Sequence, residues 1–268
     1  MTTPRRTALL IACLAALCSI AISAQAATKL LVHAGAGIRP ALDEAAAAFE
    51  KKTGVKVEYN YKGSACLLPD VLMSGKGDVY IPGEEYYVKQ AVDRKLVKPS
   101  YKVVATMTTV IITQPGNPKH IRTLADLAKP GLRLGLGDPE VVACGRAAKQ
   151  ALVNAGVWDK AEKNMVMGAQ NVSELSNAVR LGNLDAAIVW NATAALYSAR
   201  DLAIVPIPED HAVTSAIPVG VVAASKQARP AQQFVDFLAG AEGRRIFQKH
   251  GFGMPAAGRA KTKPGGKA

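Results

Sequence analysis

The 268 residues are 49% apolar and only 5% aromatic, with a formal net charge of +12. That length is enough for one large domain or two lobes with real cores, and the composition excludes a disordered chain apart from its last ten or so residues. Arg5 and Arg6 near the start and Arg259, Lys261, Lys263 and Lys267 in the tail carry much of the charge, and no basic stripe interleaved with aromatics marks a nucleic-acid surface.

Arg5 and Arg6 precede an apolar run from Ala8 to Ile22, followed by the small-x-small pattern Ala24-Gln25-Ala26. This pattern predicts a signal peptide over 1–26, cut after Ala26, and hence a periplasmic protein. Leu10-Ile11-Ala12-Cys13 resembles a lipidation site but would cut the apolar run too early. No later apolar stretch is long enough to span a bilayer.

Strand and helix patterns then alternate. Residues 29–34 (KLLVHA) read as a strand. A helix follows with Ile38, Leu42, Ala46 and Phe49 on one face, Pro40 near its start and Gly54 as its stop. Residues 55–61 read as a strand, 67–73 as a short helix, 77–83 as a strand and 84–94 as a helix. The β-branched run 103–113 (VVATMTTVIIT) is too long for an ordinary strand and fits one that leaves one lobe and enters another. Further on, 131–139 is strand then turn, and 145–156 is a helix stopped by Gly156. Met165 and Met167 alternate on a strand and read as core. Asn171 and Glu174 fit a capping box for the next helix, and 184–190 is a buried strand. Two more strands lie within 202–224, and two helices close the chain. The alternation predicts an α/β protein with mainly parallel sheets. The two long β runs suggest two crossings between lobes. Ligands on such sheets sit at the carboxyl ends of strands, where helices start.

Four turns place small residues between a strand end and a helix start: 34–40 (AGAGIRP), 62–68 (KGSACLL), 140–146 (EVVACGR) and 170–174 (QNVSE). The first turn of a helix carries unpaired N–H groups and a partial positive charge, and small residues let an anion reach them. Ser64 and Ser173 add hydroxyl donors. No turn contributes a required Lys or Arg, which points to an oxyanion held by neutral donors.

Three segments carry a family resemblance. FVDFLAGAEGRRIFQKHGF (234–252) resembles the closing segment of periplasmic solute-binding proteins of ABC importers. GDPEVVACGRAAKQAL (137–152) resembles a signature of the molybdate/tungstate-binding members, and NVSELSNAVRLGNLDAAIVWNATA (171–194) resembles another. The resemblance implies a two-lobed type II periplasmic binding protein fold, each lobe a mainly parallel sheet flanked by helices, joined by two hinge strands. Lobe 1 is expected over 27–107 and 217–254, lobe 2 over 108–216, and a disordered basic tail over 255–268. The resemblance also implies a small oxyanion caught between the lobes by hinge closure and passed to a membrane permease with its ATPase at the inner membrane, by a monomer without a cofactor. Carried across residue by residue, the family's contacts fall on Ser64 and on the backbone at Cys144 and Val172. Ala36 or Gly37 replaces a first-loop serine, Trp190 replaces a tyrosine, and Cys66 replaces a Thr or Ser.

Once Cys13 and Cys18 leave with the signal peptide, Cys66 and Cys144 remain, both at helix starts expected to face the cleft. Helix starts favour thiolate. Three readings stay open: a disulfide, the default for an exported protein; a thiol site for arsenite or a soft metal ion, joined by His33; or small residues lining an ordinary anion pocket. An enzyme with Cys66 or Cys144 as nucleophile would need a base; only His33, at the end of the first strand, is a plausible one, and no triad-like spacing supports it. Tyr86 and Tyr87 hint at phenolate ligands to iron, but adjacent helical residues point apart, which favours an ordinary surface helix. His120, His211 and His250 have no ligand spacing.

Overall fold

The computed structural model describes residues 28–255. The signal-peptide reading over 1–26 and the tail beyond Pro255 lie outside the described residues. Within them, no helix is long and apolar enough to cross a membrane.

The strands β1 (Lys29–Gly35), β2 (Lys56–Lys62) and β3 (Val79–Ile81) form a parallel group in the order β2-β1-β3. Between them run α1 (Arg39–Thr53) and α2 (Ser64–Ser74), and α3 (Glu85–Asp93) follows β3. A second parallel group consists of β5 (Leu134–Gly137), β6 (Met165–Ala169) and β7 (Ala186–Trp190), in the order β7-β5-β6. Its helices are α4 (Ala143–Asn154), the short α5 (Trp158–Ala161) and α6 (Val172–Arg180). α7 (Asn191–Ala194) follows β7 directly.

Two long strands join the groups. β4 (Lys102–Thr113) pairs antiparallel with β9 (Thr214–Val221) over Lys102–Thr108. From Thr109 onward it pairs with β7, and from Val110 with β8 (Ala203–Pro206). β9 in turn pairs with β3 through Val221 and Gly220. The partner change at Thr108/Thr109 explains why the apolar run is twice the usual strand length. One strand serves two sheets.

The closing helices α8 (Ala228–Ala239) and α9 (Ala241–Lys249) return to the first group. Phe234 and Phe237 of α8 set their rings 5.0 and 5.5 Å from Phe49 of α1. The apolar faces of α1, α8 and α9 thus share one core with β1, β3, β4 and β9. Gly54 and Gly156 end their helices with φ of 72° and 67°, the left-handed region that glycine enters without a Cβ clash.

Some expectations need correction. Met165 is 41% exposed, because β6 is the outer strand of its group and that side of it faces solvent. On α1 the buried stripe passes through Ala45 rather than Ala46. α2 begins at Ser64, three residues before the predicted start, so Ser64 belongs to the first turn.

Candidate functional site

Four segments meet at one cleft of about 50 Å³. They are the short 3-10 turn Ala36–Ile38 after β1, the start of α2, the start of α4 and the start of α6. The first two belong to the β1–β3 group and the last two to the β5–β7 group. The third N–H of each helix start is taken, Cys66 by Gly63 O and Gly145 by Val142 O at 2.9 Å and Glu174 by the Asn171 side chain at 3.1 Å. Helix geometry leaves the first two N–H groups of α2, α4 and α6 without intrahelical partners. The cleft therefore gathers donors and the positive ends of helix dipoles from both halves of the molecule.

Its shape follows from close backbone approaches. A Cβ on Gly63 would lie 3.3 Å from Val141 O, and one on Gly37 would lie 3.7 Å from a Val172 methyl. The two walls touch, so the cleft is closed. At the α4 start, Gly145 packs directly on the end of β5, where a Cβ would come within 2.2 Å of Gly137 O. Asn171 caps α6, its Oδ1 accepting from Glu174 N–H at 3.1 Å, while Glu174 Oε2 accepts from Gln170 N–H at 3.1 Å. The capping box expected there forms with its return bond one residue earlier.

Ser64 is 5% exposed, and its Oγ accepts from Gly83 N–H at 2.9 Å. That bond uses a lone pair and leaves the hydroxyl proton for another acceptor. Ser215 Oγ donates to Gly83 O at 3.2 Å, so Gly83 is held from both sides. Lys62 is the charged residue lining the cleft, and its Nζ lies 2.7 Å from Asp70 Oδ2. The lysine and an Asn60 hydrogen bond hold the Asp70 carboxyl below the usual range. The cation at the rim is already neutralised, and the anion-holding capacity of the cleft rests on neutral donors.

Of the residues singled out in the sequence, Ala36, Gly37, Ser64, Cys144, Val172 and Trp190 line this cleft. Cys66 does not; it is exposed, with a free thiol. Cys144 is also free and fully buried, and its Sγ donates to Ile188 O at 3.7 Å. Burial pushes its thiol well above the ordinary range, the opposite of the activation expected at a helix start. Its backbone faces the cleft, while its thiol pins α4 to β7. His33 is 3% exposed and stands apart from the cleft lining. Asn60 Nδ2 donates to its Nδ1 at 3.1 Å, which leaves Nε2 to donate to Lys76 O at 3.0 Å. Burial lowers its pKa, the Lys76 bond opposing. The disulfide does not form, and Cys66, Cys144 and His33 are not gathered round one ion. Among the described residues no group of three or more His, Cys, Asp or Glu side chains is arranged to hold a metal. The base required by a thiol enzyme is committed to Asn60 and Lys76.

The sequence reading missed Gly83 and Met107, which also line the cleft. Gly83 had a signal, since it follows β3 and precedes α3 like the four turns that were recognised. Met107 sits mid-strand in β4 and had none.

A two-lobed α/β molecule whose helix starts converge on a closed cleft is a solute-binding protein of the type II periplasmic binding fold. The chain belongs to the bacterial extracellular solute-binding protein family, whose pattern matches residues 30–253. This is a class of transport binding proteins, not an enzyme class. The molybdate-binding protein ModA of Mycobacterium tuberculosis is 30% identical over 232 residues, covering 86% of this chain and 87% of that protein. The putative ABC transporter substrate-binding lipoprotein YvgL of Bacillus subtilis is 27% identical over 226 residues, covering 83% and 85%. Among solved structures, the periplasmic molybdate-binding protein of Azotobacter vinelandii superposes with a TM-score of 0.74 at 19% identity, covering 84% of this chain and 99% of that one. That last likeness is one of fold.

Proposed function

We propose that this chain is the periplasmic binding component of an ABC importer, which captures a tetrahedral oxyanion, molybdate or tungstate, and delivers it to a membrane permease and its ATPase. The observation that carries the reading is the convergence of four anion-ready chain starts, from both halves, on one cleft without an unpaired side-chain charge. Its size agrees. A cleft of about 50 Å³ holds roughly four oxygen-sized atoms, and drug-sized ligands need several times more. The molybdate-binding relatives point to the same cargo. The ligand contacts in this reading are the backbone at Ala36, Gly37, Cys144 and Val172, the Ser64 hydroxyl and the Trp190 indole N–H. The lobes divide as 27–107 with 217–254, and 108–216, in keeping with the change of β4 partners at Thr108/Thr109. The protein acts as a monomer after its signal peptide is removed.

The test is a melting series on the mature protein with molybdate, tungstate, sulfate, phosphate, arsenite and copper(I), with and without reductant. A ligand at a hundred times its dissociation constant stabilises by about 2.7 kcal/mol. The expected result is a rise with molybdate and tungstate in both redox states. A rise confined to arsenite or copper, and only under reductant, would overturn the reading.

Within this site, Ser64→Ala removes a hydroxyl donor to a charged ligand. The expected loss is about 1.5 to 3 kcal/mol, roughly a ten- to hundredfold rise in Kd for molybdate by calorimetry. Gly83 N–H loses its partner as well, so the anion-free protein should melt slightly lower while keeping its circular dichroism. Unchanged affinity would remove Ser64 from the site.

A further inference from the structure

One side-chain cluster spans the two halves outside the cleft. Arg146 stands in the first turn of α4, and its Nη2 donates to Tyr87 Oη at 2.6 Å. The same nitrogen lies 3.3 Å from Glu84 Oε1. The guanidinium sits 4.5 Å from the centre of the Tyr86 ring and 5.3 Å from that of Tyr87. Glu84, Tyr86 and Tyr87 all come from the start of α3, in the other half. Tyr86 is the surface helix residue that its spacing suggested, 50% exposed, but Tyr87 is not, for it is only 5% exposed. Glu84 occupies the N-cap position of α3, yet its side chain caps nothing there. It turns to Arg146 instead. The Glu84 and Arg146 side chains keep only 14% and 39% of their exposure.

These contacts join residues of the two halves, so a rotation that parted the halves would break them. Arg146 lies two residues beyond Cys144, whose backbone faces the cleft, so a displacement of one moves the other. It does not line the cleft itself. It stands between two open grooves of about 290 and 360 Å³, both lined by residues of the two halves. Opening the cleft would expose the buried Tyr87 ring and separate the charges. Burial raises the Glu84 pKa, with the Arg146 charge opposing, so the carboxylate depends on that partner when closed.

We propose that Arg146 is the latch of this binding protein: its clasp on Glu84, Tyr86 and Tyr87 holds the closed state and sets how long the captured anion stays bound. Arg146 is a positioning residue and does not touch the anion. The proposal rests on the oxyanion reading given above.

The test is stopped-flow release of molybdate from the mature protein, for the wild type, Arg146→Met, Glu84→Gln and the double variant. Methionine keeps the apolar stem without the charge. Release should accelerate about tenfold in Arg146→Met and several-fold in Glu84→Gln, with association rates within about twofold of wild type. The double variant should be no faster than Arg146→Met, because both changes remove one clasp. The anion-free proteins should melt alike, since the clasp belongs to the closed form. Equal release rates in all four proteins would overturn the latch while leaving the oxyanion reading intact. A purely structural role would lower the anion-free melting temperature without changing release, and would also overturn it. A wild type that does not bind molybdate would instead fail the oxyanion reading.

Discussion

Gly37→Asp should abolish oxyanion binding while leaving the fold in place. A Cβ at this position meets only a Val172 methyl, at 3.7 Å, an ordinary contact. The Cβ is therefore tolerated, and a carboxylate one bond beyond it would lie at the helix starts that line the cleft. Two unit charges 4 Å apart repel by about 4 kcal/mol at an effective dielectric constant of 20. That corresponds to about a thousandfold loss of affinity. The same carboxylate should stabilise the empty protein by about 0.3 to 1 kcal/mol, since it supplies the negative charge that helix starts favour. The expected result is thus twofold: no calorimetric heat with molybdate, and an anion-free melting temperature equal to or above the wild type. Gly37→Asn, neutral and of similar size, should bind far better than the aspartate. Equal losses in both variants would mean that bulk, not charge, closes the cleft, and the anion reading of this turn would fail.

The turn at Gly37 was legible in the sequence for the same reason that it is testable. Small residues between a strand and a helix leave room at unpaired N–H groups, and four such turns do share one cleft. β4 was legible too, because the eleven β-branched and apolar residues 103–113 are too many for a single sheet's strand. The cysteines were misread through geometry that the sequence does hold. Two residues advance a helix by about 200°, so Ser64 in the cleft puts Cys66 on the far side. Cys144 was harder. Which way a side chain hangs at a helix start depends on the strand beneath it, here the Ile188 carbonyl that takes its S–H. Met165 shows a different limit. Its alternation is real, but a strand's place at the sheet edge is a property of topology and not of its own residues. The Arg146 clasp was not readable at all, since residues 84–87 and 146 meet only after both halves have folded and closed.

Charge pairing near the cleft is what leaves the anion to neutral donors. Lys62 is held by Asp70 and Arg146 by Glu84, so each cation near the cleft has an acid of its own. A cation left free there would hold any anion by charge alone. Backbone N–H groups in fixed positions hold only an anion whose oxygens match them, which makes the rigidity of each helix start part of the binding.

That rigidity gives the largest structural effect to Gly145→Ala. The added methyl would sit 2.2 Å from Gly137 O, 2.5 Å from Gly137 C and 2.8 Å from Asp138 C. All three are backbone atoms, so no rotamer change relieves the overlap, and α4 must move off β5. Overpacking of this kind costs about 3 kcal/mol or more when the backbone has to shift. For a chain of this size that is a fall in Tm of roughly 6 to 12 °C. The start of α4 carries Ala143 and Cys144 into the cleft, so molybdate affinity should fall at least tenfold in the same variant. The Cys144 bond to Ile188 O should break with it, leaving the thiol open to a reagent such as dithionitrobenzoate. Gly168→Ala is the control. Its Cβ would meet nothing within 4 Å, and both stability and affinity should stay at wild-type values. If Gly145→Ala melts within a degree or two of wild type and binds molybdate unchanged, the α4 start is not anchored by β5. Its N–H groups would then be free to adjust to anions of different size, and the selectivity argued from fixed donors would have to come from elsewhere in the cleft.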